Sequence, residues 1–122
     1  MYESGEGGSI DSGAARERFE VPVACDWSAL TTDQQERQRA LIVLLRADAE
    51  EVRELEDGYA FRHSPDRDVL LAVAEFVANE RLCCPFFEFG ITVERGGGPV
   101  WLRLTGEGEA KAVLEAEMGV EA

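Results

Sequence analysis

Apolar residues recur at every second position in five short stretches of this chain and at every third or fourth position in three others. The first period is that of a strand with one buried face, the second that of an amphipathic helix. Phe19-Glu20-Val21-Pro22-Val23-Ala24-Cys25 alternates through its phenylalanine and two valines and predicts a short strand, which Pro22, lacking an amide hydrogen, confines to an edge. Thr31-Thr32-Asp33-Gln34-Gln35-Glu36 then sets a Thr or Asp three residues before Glu or Gln, a capping-box signature. A helix is predicted from about Asp33 to about Ala49, with Leu41, Leu44 and Leu45 on its packing side.

From Val52 to Arg62 the pattern returns to period two around Asp57-Gly58, the signature of a type I′ hairpin turn. Ser64-Pro65-Asp66 opens a second helix, in which Val69, Leu70, Val73, Phe76 and Val77 recur at spacings of three and four. Phe87 to Val93 alternates again, Gly96-Gly97-Gly98-Pro99 turns the chain, and Val100 to Leu104 returns as the partner strand. Gly106 breaks it, and Ala110, Val113, Leu114 and Met118 mark a short acidic helix whose glutamates Glu107, Glu109, Glu115 and Glu117 read as a solvated face. The order strand, helix, hairpin, helix, hairpin, helix predicts an α+β fold, an antiparallel sheet of four to five strands with helices on one face. Residues 1–17, rich in Gly, Ser and Glu, read as a flexible acidic tail, and 18–122 as a single domain.

Charge narrows the function classes. Twelve basic residues against 25 acidic ones leave a net charge of -13, which opposes binding to nucleic-acid phosphates and to anionic membrane surfaces. No run of eighteen apolar residues appears and the N-terminus has no apolar core of a signal peptide, so the expectation is a cytoplasmic protein. In that reducing compartment three cysteines are too few for a disulfide framework, and metal or redox chemistry becomes the question to ask of them.

Two of the three thiols, Cys83 and Cys84, are adjacent and end the second helical pattern. Carried on by threes and fours, the stripe Val73, Phe76, Val77 runs into Glu80, Cys83 and Cys84, which places a carboxylate on the buried face one turn before the thiols. Pro85 disfavours helical geometry at Cys84, so the helix is expected to end at Cys83 with the two side chains diverging. If Cys25 meets the pair, three thiolates suit a soft centre such as Hg(II), As(III) or Cu(I). Zinc, the weaker fit, would need a fourth ligand from Glu80 or from His63, the sole histidine, which otherwise reads as an exposed turn residue. An enzymatic variant uses Cys83 and Cys84 as nucleophiles on a carbon-bound metal, with Glu80 or Asp26 as the acid. A redox protein linking Cys25 to Cys83 or Cys84, and a domain whose cysteines merely fill the core, remain open beside it. Phe86, Phe87, Phe89 and Trp101 read as core or strand-pairing residues.

Glu80-Arg81-Leu82-Cys83-Cys84-Pro85-Phe86 with Phe89, followed by Gly98-Pro99-Val100-Trp101-Leu102-Arg103-Leu104-Thr105-Gly106, resembles a group of small bacterial proteins associated with mercury and heavy-metal resistance loci, a group without a settled activity. The resemblance spans about residues 20–118. It implies thiol ligation of a soft toxic metal through Cys83, Cys84 and Cys25. In chemistry, though not in motif, the site is also similar to organomercurial lyases, which use two cysteines and an acidic residue.

Overall fold

The computed structural model describes residues 23–119. Most of the first predicted strand, Phe19–Pro22, and the acidic tail lie outside the described residues, and Val23–Cys25 are not in a strand. After a one-turn 3-10 helix, Trp27–Ala29, the chain forms α1 (Thr32–Asp48), β1 (Glu51–Leu55), β2 (Gly58–His63), α2 (Arg67–Cys83), β3 (Glu88–Val93), β4 (Val100–Thr105) and α3 (Ala110–Met118). The fold is α+β: three helices and one antiparallel sheet in the order β1-β2-β4-β3. No helix among the described residues is long and apolar enough to cross a membrane.

The capping box at α1 is present in full, with Gln34 N donating to Thr31 Oγ1 at 3.1 Å and Thr31 N to Gln34 Oε1 at 2.9 Å. The buried face of α1 is Gln38, Leu41 and Leu45, and Leu44 stands 43% exposed rather than packed. Successive strand residues point to opposite faces, so Tyr59, Phe61, His63, Val100, Leu102 and Leu104 form the side packed under the helices, while Arg103 and its neighbours face outward. Each of those large apolar side chains contributes roughly 1.5–3 kcal/mol of transfer free energy when fully buried.

The first hairpin is tighter in its register than the Asp57-Gly58 signature predicts. Leu55 pairs with Gly58, which leaves Glu56 and Asp57 as the two turn residues and makes Gly58 the first residue of β2. The glycine is required there by the neighbouring strand: a Cβ would run into the backbone of Leu104 and Thr105. Gly96 and Gly97, in the second hairpin, do take positive φ, both at 72°.

α2 ends at Cys83, and Cys84 leaves the helix at φ -129°, ψ 67° with its amide donating to Glu80 O at 2.7 Å. The backbone before the 3-10 turn is drawn to the same place, Asp26 N donating to Cys83 O at 2.7 Å. Two segments far apart in sequence therefore meet at the helix end that carries the vicinal cysteines.

Candidate sulfur and carboxylate site

Cys25 and Cys84 are joined in a disulfide, with Cα atoms 4.6 Å apart. Cys83 remains a thiol, fully buried, its Sγ 3.8 Å from Cys84 Sγ. Cys25, whose meeting with the pair the sequence leaves open, thus joins Cys84, and Cys83 lies on the other side of that sulfur. Convergence follows from the turn at Cys84, which directs one sulfur toward the 3-10 segment while the other stays on the helix face.

Glu80 is 0% exposed and lies one turn before the thiols, its Oε1 3.9 Å from Cys83 Sγ. Its place is fixed by a polar relay across the α1–α2 interface. Gln38 Nε2 donates to Glu80 Oε1 at 2.8 Å and to Phe76 O at 3.1 Å, and Asn79 Nδ2 donates to Gln38 Oε1 at 3.1 Å. Glu80 Oε2 has no hydrogen-bond partner, nor has Glu117 Oε1, although both atoms are buried. A buried carboxylate oxygen left without a donor costs on the order of 1–3 kcal/mol or more, so such atoms need an explanation.

Glu117 supplies it. Reading the acidic α3 helix as wholly solvated is incorrect: Glu115 accepts the Tyr59 hydroxyl at 2.7 Å, and Glu117 turns toward the sulfurs. Burial and then the hydrogen bond and charge of Glu80 push the Glu117 carboxyl up to about 9, which keeps a proton on it at neutral pH. That proton lets one carboxyl donate to the other. Periodicity contained the signal, since Glu117 adjoins Met118 and follows Leu114 by three, but an acidic helix gives no reason to single out one glutamate.

Ligand-type atoms of Cys25, Cys84 and Glu117 lie within 4.8 Å of one another, as do those of Glu80, Cys83 and Cys84. The two groups share Cys84, and each could hold a metal ion once the Cys25–Cys84 disulfide is reduced. The Cys83 thiol is pushed up to about 12, by burial first and then by the charges of Glu80 and Glu117. It stays protonated at neutral pH and is a weak nucleophile until something displaces the proton.

The remaining sequence candidates lie elsewhere. Asp26 Oδ1 accepts from Ser28 N at 3.1 Å and caps the 3-10 turn, outside both groups. His63 is not an exposed turn residue: it is 1% exposed, because β2 ends under α1, and its Nδ1 lies 3.0 Å from Asp48 Oδ2. Phe87 is buried with Phe86 and Phe89 packed against the core, whereas Trp101 lies on the open sheet face, its ring under the Arg53 guanidinium at 4.6 Å.

No protein-family model, curated protein or solved structure matches the chain.

Proposed function

We propose that the reduced protein binds a soft heavy-metal or metalloid ion, Hg(II), As(III) or Cu(I), through Cys25, Cys83 and Cys84, with Glu80 and Glu117 closing the site. The observation that carries this reading is that Cys25 and Cys83 both lie beside Cys84, so the three cysteines fall in two overlapping ligand groups, Cys25-Cys84-Glu117 and Glu80-Cys83-Cys84. Once the disulfide is reduced, thiolates drawn to a shared ion from these two groups match the softness and low coordination number of such ions. Each thiol must lose its proton on binding, so uptake releases protons and strengthens as pH rises. The resemblance of the Cys-Cys-Pro-Phe segment to proteins of heavy-metal resistance loci points the same way.

Anaerobic titration of the reduced chain tests it. Hg(II) and arsenite are expected to bind one per chain with thiolate-to-metal absorption, ahead of Zn(II). Cys84→Ser, which removes the sulfur common to both groups, is expected to weaken arsenite binding at least about a hundredfold, the scale on which loss of one ligand is felt. Unchanged binding in Cys83→Ser and Cys84→Ser sinks the proposal.

The Cys25–Cys84 disulfide favours a second reading, a thiol redox protein in which oxidation closes the site. It predicts that mild peroxide forms this bond and protects Cys25 and Cys84 from alkylation, with little discrimination among metals. Turnover of an organomercurial with release of hydrocarbon would instead make the site catalytic.

A further inference from the structure

Away from the sulfurs, the ends of α1 and α3 leave a cleft of about 520 Å³ over the inward face of β1 and β2, a size suited to a small organic molecule. Its apolar wall includes Leu45, Val52, Phe61 and Met118, and Arg46 and His63 contribute polar groups. Charge in the cleft is unevenly balanced. Glu54 already receives Lys111 Nζ at 2.6 Å, whereas Arg46 has no acidic partner among the described residues and its guanidinium lies against Gly119. Gly119 takes φ 70°, the left-handed conformation that favours glycine.

His63 supplies the second polar contact. Asp48 is held below the usual carboxylate range: burial alone would raise it, but hydrogen bonds from the Ser64 amide and hydroxyl and from His63 outweigh that. An ionised carboxylate only accepts, so Nδ1 carries the hydrogen, and Nε2 is the nitrogen of this cleft-lining ring without a hydrogen-bond partner among the described residues.

We infer that this cleft binds a small amphipathic carboxylate, its acid group on Arg46, its apolar body on Leu45, Val52, Phe61 and Met118, and a hydroxyl hydrogen-bonded to His63 Nε2. The inference is independent of the sulfur site.

Titration of the ¹⁵N-labelled full-length chain with 4-hydroxyphenylacetate tests it. Saturable shifts are expected at the amides of Leu45, Arg46, Ala49, Val52, Phe61, His63, Met118 and Gly119. Tyrosol, the neutral alcohol analogue, should bind about tenfold more weakly, the worth of one charge-assisted hydrogen bond. Phenylacetate, without the hydroxyl, should lose about fivefold. Arg46→Gln, at an exposed position where folding is tolerant, should cost about tenfold, and Arg46→Lys should recover most of it. No saturable shift at millimolar probe, shifts centred elsewhere, equal affinity for the three probes, or an unchanged Arg46→Gln variant would overturn the assignment.

Discussion

Two buried polar clusters sit at opposite extremes of hydrogen-bond satisfaction. At the end of α1, Asp48 accepts from Ser64 N at 3.0 Å and Ser64 Oγ at 2.8 Å and meets His63 Nδ1 at 3.0 Å, so both of its oxygens are used. At the end of α2, Glu80 Oε2 and Glu117 Oε1 receive no donor from the rest of the fold and have only the proton that the two carboxyls share, beside a disulfide and a thiol. The first cluster is built as a joint between helix and sheet. The second is held together by a single shared proton, which an incoming ion could replace, and that makes it the candidate site.

The comparison is broken most forcefully by reducing the disulfide. Cys25 and Cys84 are 59 residues apart, and in the chain-entropy account opening a loop of that length costs about 4 kcal/mol. Denaturant unfolding of oxidised and reduced protein is expected to show that loss, with Hg(II) restoring a large part by tying the same sulfurs together. A reduced protein as stable as the oxidised one would mean that the sulfurs contribute nothing to holding the N-terminal segment.

Next in size is Asp48→Ala, expected to cost about 2–3 kcal/mol, because it strands the His63 ring nitrogen, the Ser64 amide and the Ser64 hydroxyl together. Asp48→Asn keeps one acceptor and should cost about half as much, read as a smaller shift of the urea midpoint. Metal titration of either variant should be unchanged. If it is weakened, the two clusters are not separate.

Much of this was legible beforehand, for different reasons in each cluster. Strands, helices and their order followed from apolar periods, and the end of α2 from Pro85, because local rules and tertiary packing agree there. Glu80 stood out as a carboxylate on an apolar stripe. Convergence of Cys25 could not be read, since no local rule brings a segment 59 residues away to a helix end. Gln38 carried no signal in the sequence, because its value lies in a relay that exists only when α1 packs on α2. His63 was misread for the same reason, its burial being set by the helix above it.

The finest test sets the two carboxyls of the unsatisfied cluster against pH. In the folded protein Glu117 binds its proton up to about 9, whereas its ordinary value is 4.5. The folded state therefore holds more protons than the unfolded one between those limits, and stability must fall as pH rises through that window. Glu117→Gln replaces the proton-bearing carboxyl by a neutral amide that can still donate to Glu80 Oε2. It should leave stability near pH 4 little changed and raise it by about 1–2 kcal/mol at pH 8, where the unfolded wild-type chain has ionised Glu117 while the folded one must still hold its proton. Glu80→Gln would relieve the same pair but disturbs the bond from Gln38, so Glu117 is the cleaner position. Urea midpoints at pH 4, 6 and 8 decide it: parallel curves for wild type and Glu117→Gln would mean that the two carboxyls do not share a proton and that their buried oxygens are satisfied in some other way.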